Sequence, residues 1–224
     1  PAAGRLRAMI TLYGISGTAT TAPHMVLEEI GTAYTFVEVE RADDGTPISP
    51  PDYLEISPFG KVPALRHNDI ELTESAAICV HLAMAFPDAG LMPPEGSKER
   101  ATMVRHLMTL TNTVQAAYLR WFYPERYTVD PDGAEDVRTA AAHELDGLRA
   151  HFAGVVGDGP HVVGAQFTVA DPYLAMLSSW STEMAPEHRW WNEPALAAHY
   201  DAVLGRPGCR SAVEQEGGTL SSAG

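Results

Sequence analysis

From Met9 to Phe86 the apolar positions come in short alternating runs; from Lys98 onward they recur at helical spacing. Met9-Ile10-Thr11-Leu12-Tyr13 alternates and stops at Gly14, as a half-buried strand does. The small-residue loop Ser16–Pro23 leads into a helix carried by Met25, Val26, Glu28, Glu29 and Ile30, with Gly31 placed to cap it. Tyr34–Glu40 is β-branched and aromatic and predicts a second strand. Residues 41–58 contain Pro47, Pro50, Pro51 and Pro58 and predict a loop with at most a helical turn around Tyr53-Leu54. A strand through Pro63, a second over Asp69–Leu72 and a helix from Ser75 to about Phe86 follow.

This order, a βαβ unit followed by a hairpin and a helix, is the thioredoxin-like arrangement. No C-x-x-C pair is present, so thioredoxin chemistry is excluded. Pro87–Glu95 is rich in proline and marks a linker. Beyond it, helical periods span Lys98–Phe122, Glu135–Phe152, Val169–Met184 and Glu193–Leu204, with Asp130-Pro131-Asp132-Gly133 breaking the first from the second. The expected fold is therefore α/β plus all-α: a thioredoxin-like domain over 9–87, a linker over 88–95 and a helical bundle over 96–214. Residues 1–8 read as a leader and 215–224 as a frayed tail. Thr168–Asp171 has the form of a capping box, and Tyr173, Leu174, Met176, Leu177 and Trp180 behind it read as core.

Composition narrows the function classes. With 45% hydrophobic and 20% charged residues the chain can bury a core. A formal net charge of −14 argues against nucleic acid and anionic membranes as partners. No apolar run approaches the ~18 residues of a membrane span, and no signal peptide precedes Met9, so a reducing cytoplasm is the expected compartment. Cys79 and Cys209 are too few for a disulfide framework or a zinc site, and Cys79 lies in the apolar run 76–85, as a buried small hydrophobe would. The nine histidines show no metal-ligand spacing, and no metal is expected.

The chemistry concentrates at Lys61-Val62-Pro63-Ala64-Leu65 and at Thr73-Glu74-Ser75. Proline in a strand-like stretch implies an edge or a special turn, leaving the Val62 N–H and C=O free to pair with an extended ligand. The free N–H groups of a helix start with a hydroxyl suit a carboxylate, and an adjacent glutamate suits an ammonium group. Together they suit the amino-acid end of a ligand.

These residues resemble the glutathione transferase family. Ser57-Pro58-Phe59-Gly60-Lys61-Val62-Pro63-Ala64-Leu65 is similar to its N-P-x-G-x-V-P-x-L signature, Glu74-Ser75 to its acidic-Ser pair, and Gly164–Asp171 to its G-x-x-x-T-x-A-D box. The resemblance implies glutathione as co-substrate, with Glu74 on its ammonium group, Ser75 on its γ-glutamyl carboxylate and the Val62-Pro63 backbone on its cysteinyl amide. It also implies a homodimer joined largely through Lys98–Phe122.

Ile15–His24 looks nearest the bacterial beta class pattern S-P-G-A-C-S-L-x-P-H, but the cysteine of that pattern falls on Ala19 and the histidine of its E-L-H-K stretch on Gln115. Activation of the thiol is therefore expected from hydroxyl or backbone donors, with Thr18 and Thr20 ranked first and Ser16 next. Gln115, Tyr118 and Phe122 are the expected pocket for a hydrophobic electrophile, and Trp190-Trp191, between Pro186 and Pro194, is a second candidate, as a loop covering the cleft. His24 reads as structural or surface rather than catalytic. Beside the conjugating, reducing or isomerising enzyme stand two other readings: a non-catalytic binding or scaffold protein on the same fold, and a redox adaptor using Cys79.

Overall fold

The computed structural model describes residues 9–42 and 45–218; the expected leader 1–8 and the tail end 219–224 lie outside the described residues. Its first part is a four-stranded mixed sheet in the order β2-β1-β5-β6, from β1 (Ile10–Gly14), β2 (Thr35–Glu38), β5 (Ala64–His67) and β6 (Ile70–Thr73). β1 and β2 are parallel and the other pairs antiparallel. Alternation along β1 divides its side chains between two cores. Ile10 and Leu12 face α1 (Thr21–Ile30) and α3 (Ser75–Ala85), while Tyr13 packs with Val39, Tyr53, Ile56 and Ala64 on the other side.

The crossover helix α1 ends as expected at Gly31, whose φ of 69° is the left-handed conformation that glycine adopts without cost. The segment 41–58 departs from its reading as a loop. Glu40–Arg41 (β3) and Pro47–Ser49 (β4) form a small antiparallel pair, and α2 (Tyr53–Ile56) supplies the helical turn. Proline there sits in an edge strand of a two-stranded sheet, where a missing donor costs little.

The remainder is helical: α4 (Lys98–Thr109), α5 (Ala116–Phe122), α6 (Ala134–Gly157), α7 (Ala170–Trp180), α8 (Pro194–Leu204) and α9 (Pro207–Gln215). The expected single helix 98–122 is continuous but opens into a π-helical stretch over Leu110–Gln115. Helix α7 is the axis of this part, buried throughout Ala170–Ser178. Its start carries the expected box in modified form. The Asp171 carboxylate accepts from the Thr168 N–H at 2.7 Å, while the Thr168 hydroxyl receives the Ala170 N–H at 3.3 Å in place of the Asp171 N–H and donates to the Asp171 carboxylate at 3.3 Å.

Helix α9 was not anticipated. It lies so close to α1 that a Cβ on Gly208 would come within 2.7 Å of the Glu28 carbonyl carbon. Arg206 and the Cys209 N–H both bind the Glu29 carboxylate there.

Candidate functional site

The Pro63 turn is built from its flanks. The Val62–Pro63 bond is cis. Both neighbouring ladders begin at Ala64, so the Val62 N–H and C=O lie outside the pairing registers. Immediately upstream, the Lys61 carbonyl accepts from the buried Tyr53 hydroxyl at 2.6 Å and the Ser57 hydroxyl at 2.8 Å, and Arg41 holds the Gly60 carbonyl at 2.9 Å. Ser57 and Tyr53 thus fix the backbone that presents Val62; the sequence reading gave neither that role. A shallow groove of about 260 Å³ lined by Arg41, Pro47, Leu54, Phe59 and Lys61 runs beside this turn.

Glu74 and Ser75 stand where β6 passes into α3. Glu74 has φ 69° and ψ 111°, a conformation that costs a non-glycine residue about 1–3 kcal/mol. It is exposed, whereas Ser75, the first residue of the helix, is buried. The kinked backbone separates the two side chains and leaves the first N–H groups of α3 without intrahelical partners.

The loop after β1 differs from its sequence reading. Thr20 is fully buried: its hydroxyl accepts from the Ile15 N–H at 3.2 Å and pairs with Thr18 at 3.0 Å. Its methyl group fills the space beside Gly14, where a Cβ would lie 2.1 Å from Thr20 Cγ2. Thr20 therefore shapes the loop and cannot touch a ligand, which corrects its ranking. Thr18 is partly buried and donates its proton to the Ile15 carbonyl at 2.6 Å. Ser16 is exposed. The Thr18 and Ala19 N–H groups have no partner among the described residues.

Residues 8–84 match the family model described as glutathione S-transferase, N-terminal domain. The chain is 30% identical over 203 residues to an uncharacterized GST-like protein, YncG, of Escherichia coli strain K12, covering 89% of this chain and 94% of that one. The chain belongs to the glutathione S-transferase family. A glutathione transferase homologue from Sulfitobacter, solved with bound glutathione, superposes at a TM-score of 0.82 with 28% identity over 94% of this chain and 99% of that one. The bacterial beta class enzyme of Sphingomonas chungbukensis gives 0.78 and 29%, over 92% and 98%. The thioredoxin-like fold followed by a helical domain is that of the family.

In this glutathione S-transferase family member, Gln115 sits on the last residue of the π-helical stretch, partly exposed, with its side-chain oxygen bound by the Tyr173 hydroxyl. The π insertion is a local widening common at functional positions. Tyr118, expected beside it in the pocket, has no exposed surface and packs edge-on against Trp180 and near Phe122 and Trp190. It is core, because burying a large ring inside the bundle gains more than leaving it in a cleft. Phe122 remains partly exposed. Trp190 is fully buried and Trp191 packs on Tyr200 at 4.4 Å, so the tryptophan pair is part of the bundle and not a cover over the cleft.

Cys79 is wholly buried and burial pushes its thiol far above the ordinary range, which removes the support for a redox adaptor. His161, Asp171 and His199, far apart in sequence, bring ligand-type atoms within 4.8 Å of one another. The Asp171 carboxylate there already accepts from the Val162 N–H, the Thr168 N–H and hydroxyl, and His199. Its lone pairs serve the helix cap.

The residue missed altogether is Glu216. Expected in a frayed tail, it is instead bound to the start of the chain: its carboxylate accepts from the Gly17 N–H at 2.9 Å and the Thr21 hydroxyl at 2.6 Å, and pairs with His24 Nδ1 at 2.8 Å. His24 Nε2 continues the network to the Tyr34 hydroxyl at 2.7 Å. Of the two readings of His24, structural or surface, its burial and these two bonds select the structural one. No local sequence pattern announces a carboxylate that seeks its donors across the whole chain.

Proposed function

We propose that this chain is a glutathione transferase that binds glutathione along the Pro63 turn and joins its thiolate to a hydrophobic electrophile, or uses it in reduction or isomerisation. The observation that carries this reading is the junction of Glu74 and Ser75. A strained, exposed carboxylate precedes a buried hydroxyl at a helix start, which suits an ammonium group and a carboxylate on one ligand atom. A conformation of this cost persists where the surrounding structure and its use require it.

The reactive thiol would lie over the loop after β1. Its ordinary pKa is ~8.5, so donors must stabilise the anion at neutral pH. With Ala19 at the cysteine position, no mixed disulfide forms there. Because Thr18 gives its proton to Ile15 and Thr20 is buried, the Thr18 and Ala19 N–H groups and Ser16 are the better donors. Gln115 and Phe122 face the electrophile. Glutathione and two buried thiols fit a reducing cytoplasm.

The same commitment of both threonine hydroxyls favours a second reading, a glutathione-binding protein without turnover. Retention on immobilised glutathione followed by an assay with an aryl halide separates the two. Ultraviolet titration of the bound thiol in Ser16→Ala and Thr18→Ala then locates the donor. Thr18→Ala is expected to move the thiol pKa little, and a large upward shift in that variant would restore its hydroxyl as the activator.

The expected homodimer is proposed to use Met84 of α3 with Val104 and Met108 of α4. All three are exposed, at 60%, 45% and 43%. Val104 and Met108 share one helix face at four-residue spacing.

A further inference from the structure

We propose that Tyr173 is a positioning residue for the second substrate: its hydroxyl holds the Gln115 amide by the oxygen, so that the amide's N–H groups are presented to a hydrogen-bond acceptor on the electrophile. This rests on the reading of the site as a glutathione transferase cleft.

Tyr173 lies on α7, only 1% exposed, and its hydroxyl donates to Gln115 Oε1 at 2.5 Å across 58 positions of sequence. The Gln115 side chain makes no other hydrogen bond among the described residues and is partly open to solvent. An amide has one acceptor end and one end with two donors. With the oxygen taken from the buried side, the donor end is what an incoming group meets.

The phenol acts here as a neutral donor. Burial first, then the neighbouring Cys79 and Glu74, push its pKa far above the ordinary value, so it stays protonated at neutral pH. Its other neighbour is the Ser75 hydroxyl at the start of α3. One ring thus stands between the residue proposed for the γ-glutamyl carboxylate and the residue proposed for the electrophile. The position that carries a histidine in the beta class pattern becomes a neutral donor whose orientation is set from the core. Acceptors of the matching class are nitro, carbonyl or carboxylate oxygens.

The test uses the whole protein and S-(2,4-dinitrophenyl)glutathione, whose nitro groups supply acceptors. The Gln115 side-chain amide resonances, assigned by their loss in Gln115→Ala, should be resolved in the free protein and shift when the conjugate is added. In Tyr173→Phe, which keeps the ring, those resonances should move to the positions of a solvated amide. Conjugate affinity should then fall about two- to tenfold, the effect of one neutral hydrogen bond, with glutathione affinity held within about twofold. Gln115→Glu keeps an acceptor for Tyr173 but loses the donors, and should lose as much as Gln115→Ala.

Tyr173→Phe/Gln115→Ala should bind no more weakly than Gln115→Ala alone. Additive losses, or amide resonances unchanged in Tyr173→Phe, overturn the proposal. Failure of the wild type to bind glutathione would sink the transferase reading instead. The resonances of the free protein would still decide whether Tyr173 sets the amide.

Discussion

The N–H of Gly17 donates to Glu216 Oε2 at 2.9 Å, tying the loop after β1 to a residue 199 positions away. The same carboxylate serves Thr21 and His24 from a buried position, 3% exposed. Removing it leaves the buried Thr21 hydroxyl and His24 ring without this acceptor, and an unpaired buried group costs more than its bond contributed. Glu216→Ala should therefore lower unfolding stability by about 2–4 kcal/mol, and Glu216→Gln by less, read from denaturant midpoints. A midpoint unchanged in Glu216→Ala would mean that the loop is held by its own threonines alone.

Stability and affinity should separate at Glu74. Glu74→Gly relieves the positive φ and should raise the melting temperature or leave it unchanged, because glycine accepts that conformation. Loss of the carboxylate should still weaken glutathione about ten- to a hundredfold, corresponding to ~1.5–3 kcal/mol for a charge-assisted contact. Ser75→Ala should weaken it similarly. Calorimetric titration of glutathione into each variant decides this, and unchanged affinity would place the ligand elsewhere.

Val104 and Met108 supply the dimer test. A charge placed in an apolar contact is left unpaired and desolvated, so Met108→Glu should dissociate the assembly. Sedimentation is expected to give a dimer for the wild type and the 24.1 kDa monomer for the variant. A monomeric wild type at micromolar concentration would remove the proposed interface.

Acid should destabilise the fold from just below neutrality. Burial lowers the pKa of His81, of His106 (helped by Arg105 and His151) and of His161 (against the pull of Asp171). A histidine lowered in the folded state is protonated first in the unfolded chain, so stability falls as pH drops below about 6.5. At Glu28 burial acts upward, but hydrogen bonds from Tyr34, Gln215 and Ser211 outweigh it and hold the carboxylate below its usual range. Its contribution is present above about pH 4.3 and lost below that. Melting temperature measured from pH 7.5 to 5.5 should decline, with a shallower slope in His106→Asn. A rise over that window would contradict the assignment.

Much of this protein was set by local pattern. The alternation of Ile10 to Tyr13, the Gly31 cap, the Pro63 turn, the Glu74-Ser75 junction and the Thr168–Asp171 cap each depend on neighbours within a few positions. Periodicity and capping chemistry report such neighbours directly. The tertiary structure alone decided which polar groups face solvent and which face one another. Thr20 and Tyr118 look like site residues by type, yet both are buried where the sheet end and the helical bundle close over them. Gln115 acquires its orientation from Tyr173 and the loop its anchor from Glu216, through bonds spanning 58 and 199 positions. Such pairings have no period, because they exist only once packing has brought distant helices together and excluded the water that would otherwise satisfy the same groups.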